Sequence, residues 1–173
     1  MRSFAEWLQT TRLSVTIQSV DWIIPLLQSI HILMIGVVFV SIVMISLRVL
    51  GRARADEPFQ QVWNRFAPWM WGGLVVMAAT GLPLILGEPV REFTALSFWL
   101  KMTLIAVSVV STVFFGRSLK SAALVAREGP EFSAAMKSIV VATLVIWVAI
   151  IFLGRAIAYD VAVWGTLTPS AGA

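Results

Sequence analysis

Residues 22–46 read WIIPLLQSIHILMIGVVFVSIVMIS. The run carries no charge, and it exceeds the roughly 20 residues with which a helix crosses a ~30 Å hydrocarbon core. It holds His31, the only histidine in the chain. An ionisable side chain at membrane depth is costly unless partnered, so His31 is a functional candidate from the outset. Pro25 falls in the first turn, where a helix tolerates it. Asp21 and Trp22 mark an interface, where tryptophan rings settle.

Working outward, three more apolar runs follow: Pro68–Leu86, Phe98–Gly116 and Ile139–Gly154 with its flanks. They predict an all-α, integral-membrane four-helix bundle with spans near 22–47, 67–86, 97–116 and 136–157. The composition agrees. Charged residues are 13% and hydrophobic residues 59% of the 173, against about 25% charged in soluble chains. The loops are too short to fold alone, so residues 1–173 read as one membrane domain. The second span is rich in small residues, Gly72, Gly73, Ala78, Ala79, Thr80 and Gly81, which let helices approach closely. Pro83 predicts a kink at its far end.

Before the first span, residues 3–17 place Phe4, Trp7, Leu8 and Leu13 near one side of a helix, with Ser3 and Glu6 spaced as a capping box. This predicts a short interfacial amphipathic helix rather than a secretory signal, since no apolar core or cleavage site precedes it. After the last span, residues 160–173 read as a tail, disordered over TLTPSAGA (166–173).

Charge sets an orientation. Arg48, Arg52, Arg54, Arg65, Arg117, Lys120, Arg127 and Lys137 flank the first and third loops, eight of the 13 Lys and Arg. The positive-inside rule puts that side in the cytoplasm and both termini outside, in the periplasm of a bacterial inner membrane. The net charge of +4 therefore reflects loop charge facing lipid and cytoplasm, and nucleic acid is not expected as a partner. There is no cysteine, which excludes disulfides, c-type haem attachment, iron–sulfur ligation and thiol catalysis.

Three polar groups fall in the outer half of the membrane. His31 is nine residues past Trp22, about 13 Å along a helix axis. Lys101 follows Trp99 closely, and Arg155 closes the fourth span. Gln28 and Met34 lie one turn to either side of His31, and Lys101 shares a stripe with Ser108 and Thr112. A neutral imidazole is a good ligand for haem iron or copper. Lys101 and Arg155 suit the carboxylates of a tetrapyrrole, and Met34, Met77 or Met102 could add a soft sulfur ligand. This predicts an outward-facing pocket for haem b or a porphyrin, with copper as the alternative and His31 the metal ligand. With one histidine, a bis-histidine haem would require a homodimer. The plainer reading has Lys101 and Arg155 snorkelling to headgroups, and His31 as interhelical glue bonded to Gln28, a serine or a carbonyl, in an accessory subunit of a larger membrane complex.

The stretches SIHILMIG (29–36), SLRVLG (46–51), RFAPWMWGG (65–73), ATGLPL (79–84), FWLKMTL (98–104) and GRAIAY (154–159) resemble an uncharacterised family of small bacterial inner-membrane proteins, over most of residues 4–160. That family usually has an acid before the LR pair, where this chain has Ser46. More distantly, the first-helix histidine, the Thr80–Gly81 step and the lysine opening the third helix are similar to copper-resistance protein D-like domains and to the HemJ-type protoporphyrinogen oxidase. The second resemblance implies a role for His31 and Lys101 in haem or porphyrin handling.

Overall fold

The computed structural model describes residues 2–125 and 132–169. Every regular element among them is helical. Four helices are long and apolar enough to cross a membrane: α3 (Ile23–Val49), α4 (Phe59–Gly87), α6 (Leu96–Val125, apolar to Phe114) and α7 (Ala134–Ala156). Side chains such as Ile32, Val75, Phe114, Val145 and Phe152 are largely exposed along them. Apolar groups of that size, spread around the whole bundle, form the belt that lipid covers. The chain is an all-α, multi-pass membrane protein.

α3 and α4 pack tightly along their length, α7 lies against α3 and α6, and the bundle closes in that order. The α3–α4 approach centres on Gly73. A Cβ placed there would stand 2.6 Å from Val38 Cγ2, so only glycine fits. The other small residues of α4 divide differently from expectation. Gly72, Ala78 and Ala79 are exposed, whereas Thr80 is buried against α3. Pro68 and Pro83 sit within an uninterrupted α4.

Two buried clusters fill the bundle. One joins Val38, Ile42, Met70, Trp147 and Ile150 at mid-height. The other joins Ile45, Val49, Phe59, Trp63, Ala67, Phe132 and Val140 at the end where α3 connects to α4. Near that end Arg48 is buried, and its Nε donates to the Glu57 carbonyl at 2.7 Å.

The opposite end is more elaborate than the sequence predicts. The single amphipathic helix of residues 3–17 is two helices, α1 (Arg2–Gln9) and α2 (Arg12–Ser19). Thr11 breaks the pair and caps α2, accepting from the Ser14 N–H. Because α1 starts at Arg2, Ser3 lies inside it, and Glu6 pairs with Arg2 instead of closing a capping box. Phe4, Trp7, Leu13 and Val15 remain exposed, as an interfacial segment requires. Ser14 Oγ donates to the Leu86 carbonyl at 2.6 Å, which ties α2 to the end of α4.

A short helix, α5 (Pro89–Thr94), fills the connection between α4 and α6 and packs on α1. The expectation of a disordered tail fails for residues 166–169, which carry the end of a 3₁₀ turn (Gly165–Leu167) and the bonded Thr168. After α7 the chain makes a 3₁₀ turn, then α8 (Asp160–Trp164), and folds back onto the start of α6. Residues 170–173 of that tail, and Arg127, lie outside the described residues.

Candidate functional site

His31 lies on α3 at the level of Thr80 on α4. Its Nδ1 is 2.8 Å from Thr80 Oγ1. The threonine is spoken for on its donor side, since its hydroxyl lies 2.9 Å from the Val76 carbonyl and 3.2 Å from that of Met77. A hydroxyl has one proton and two lone pairs. Where that proton goes to a helix carbonyl, the imidazole donates from Nδ1; the Met77 backbone also hydrogen-bonds the ring. Nε2 then keeps its lone pair. Gly81 makes room for the ring, for a Cβ there would come within 3.3 Å of His31 Cε1. The Nδ1–Cε1 edge therefore seats on the Thr80–Gly81 step, and Nε2 belongs to the opposite edge.

Lys101 does not run out to solvent. Its Nζ sits 5.6 Å from the centroid of the Phe98 ring, and its stem passes over Gly154 of α7, where a Cβ would be 3.8 Å from Cδ. The ammonium interacts electrostatically with His31 and with Glu92 of α5. Glu92 is the acidic member of the cluster, and the sequence gives no hint of it. Its side chain is only 13% exposed. Burial pushes its carboxyl above the ordinary value, against the pull of Lys101 and Arg91.

The other candidates are placed elsewhere. Arg155 is exposed, and its guanidinium stacks 5.4 Å from the Tyr159 ring and reaches the Tyr159 hydroxyl at 3.4 Å. Its partners are on its own segment of chain. Gln28 is exposed on α3, so Thr80 is the partner of His31 instead. Met34 is half-buried, and its backbone faces Gly73. The structure thus brings together His31, Thr80 and Gly81, sets Lys101 within electrostatic range of both His31 and Glu92, and leaves Arg155 and Gln28 at the periphery. Thr80 and Gly81 were visible in the sequence as packing residues and in the distant family resemblance, without a stated role beside His31.

Among the described residues, no three His, Cys, Asp or Glu side chains gather as a metal centre would require. A metal at His31 would have to draw its remaining ligands from a macrocycle, a methionine sulfur or a second molecule. A single imidazole with its other nitrogen hydrogen-bonded would suit a macrocycle that brings its own donors.

Fold and site together define a multi-pass, four-span membrane protein with one imidazole held between its first two spans. Residues 4–160 match a family of unknown function, DUF6644, and the chain belongs to that family. No curated protein and no solved structure matches it.

Proposed function

We propose that this protein binds haem b or a porphyrin at the membrane level of His31, in a bacterial inner membrane with its terminal segments in the periplasm. The observation that carries the reading is the His31–Thr80 hydrogen bond, in which Nδ1 as the donor would leave Nε2 its lone pair for a ligand. Metal-bound histidines are oriented in the same way, by a hydrogen bond from the other ring nitrogen. Lys101, whose charge acts on the imidazole, supports the reading as a cation suited to a tetrapyrrole carboxylate. The distant resemblance of His31, Thr80–Gly81 and Lys101 to porphyrin-handling membrane domains points the same way. Haem b would supply one-electron chemistry. His31 would hold it, Lys101 would orient its edge, and the apolar belt would keep bulk water out. With one histidine per chain, a second protein ligand would come from a methionine or from a second copy in a homodimer. Copper at His31 is the weaker form of the same proposal, because its further ligands would be methionines alone.

The orientation rests on loop charge. Arg52, Arg54, Arg65 and Arg117 are all exposed at the end bearing the α3–α4 connection, the sign the cytoplasmic face carries.

A second reading makes the protein a non-catalytic subunit of a larger membrane complex, with His31 tying α3 to α4. The interhelical bond itself favours it. An absorption spectrum separates the two. Protein purified mildly from haem-replete cells should show a Soret band that His31→Ala removes, with its helical content unchanged. A wild-type protein that stays colourless after haemin is added would establish the second reading.

A further inference from the structure

Between α3, α4, α6 and α7, in the half of the bundle away from α5, lies a cavity of about 50 Å³. Ser46, Ser111, Thr112 and Thr143 line it among apolar side chains that include Trp63 and Met70. Thr112 donates to the Ser108 carbonyl at 2.8 Å and Thr143 to the Ile139 carbonyl at 2.9 Å. Both hydroxyl protons are therefore engaged along their own helices, and oxygen lone pairs are what these threonines have left to offer.

One turn further toward mid-membrane, on the same helix faces, are two polar atoms with no hydrogen-bond partner among the described residues. They are Ser108 Oγ, one turn from Thr112, and Trp147 Nε1, one turn from Thr143. The two residues are only 1% and 2% exposed. An unpartnered buried N–H or O–H costs roughly 1–3 kcal/mol, so native structures rarely leave one. Ser108 is twelve residues into α6 and Trp147 nine residues from the end of α7, about 18 and 14 Å deep by helix rise. The two orphans lie in one layer, just below that of His31.

We propose that this cavity and the two orphan groups one helical turn beyond it hold a short file of water molecules, reaching from the cavity toward the middle of the membrane. The cavity wall is mostly apolar, so the unpartnered groups beyond it point to water: Trp147 offers a donor and Ser108 both a donor and an acceptor, the complement of a molecule with two protons and two lone pairs. No charged side chain lines the space, so an ion would find no counter-charge. At roughly 15 Å³ per molecule the volume takes about three waters. The inference is independent of what His31 binds.

Hydroxyl-radical footprinting on protein in lipid nanodiscs tests it, because radicals made from bound water modify the side chains beside it. Met70 and Trp147, each 2% exposed, are the reporters. In the wild type both should be oxidised at rates within about tenfold of the exposed Trp22, as next to ordered water. Ser111→Leu, which fills the cavity, should slow both by about fivefold or more while Trp22 is unchanged. Ser46→Val is the second filling variant if Ser111→Leu does not fold. Wild-type Met70 and Trp147 that resist oxidation would overturn the proposal. So would labelling that neither folded filling variant slows, since that water would arrive by general breathing.

Discussion

Asp160 Oδ1 accepts from the Ser97 backbone N–H at 2.9 Å, and its Oδ2 accepts from the Leu96 N–H at the same distance. The carboxylate of α8 is therefore the cap of α6, a helix that begins 64 positions earlier. The first N–H groups of a helix lack partners within it, and their partial positive charge favours an anion. Thr168 donates to Asp160 as well, and Trp164 Nε1 donates to Ser97 Oγ at 2.8 Å. Asp160→Ala should cost about 2 kcal/mol, the range of caps and charge-assisted bonds. It should also expose the segment after Tyr159 to protease. Thermal unfolding in detergent and limited proteolysis check this, with Asp160→Asn as the milder variant.

Gly73→Leu should lower stability by about 1–3 kcal/mol, because its side chain must displace Val38 at the closest α3–α4 approach. Gly72→Ala, exposed one position away, should change stability by about 0.5 kcal/mol or less. Thermal unfolding of the two variants side by side reads the difference. Equal effects would mean that α3 and α4 do not meet at Gly73.

Glu92 gives the protein a pH dependence of definite sign. Its carboxyl is raised above the ordinary 4.5, first by burial. A raised acid favours the protonated form in the folded state. Its contribution is present below the unfolded value and is lost as pH rises through the folded one. Glu92→Gln should therefore flatten the fall in melting temperature from near pH 4.5 upward. A wild-type curve that rises across that window relative to the variant would contradict the assignment.

The orientation is testable because the chain has no cysteine. A cysteine at the exposed position of Ala55 should be shielded from an impermeant thiol reagent in intact cells. One at the exposed position of Thr10 should react. The reverse pattern would invert the topology.

How much of this was legible beforehand depends on the range of the interaction. The four spans follow from local apolarity, as in residues 22–46, and needed no tertiary information. The partner of His31 was only half legible. The Thr80–Gly81 step stands out among small residues, but helix rotation decides that Thr80 rather than Gln28 meets the ring. The return of Asp160 to Leu96 and Ser97 leaves no sequence signal, since its partners are backbone N–H groups. Glu92 was hidden in a short connection, and Lys101 draws it into the site only once α5 has formed.

The central claim is that His31 carries its proton on Nδ1 and presents Nε2 to a macrocycle. Because the chain has one histidine, selective ¹⁵N-histidine labelling reads it alone. In ligand-free protein the account predicts a neutral ring with a protonated Nδ1 and an unprotonated Nε2. Adding the diamagnetic zinc protoporphyrin should then shift the Nε2 signal while Nδ1 keeps its proton. A ring protonated at Nε2, or a spectrum that zinc protoporphyrin leaves unchanged, would contradict it.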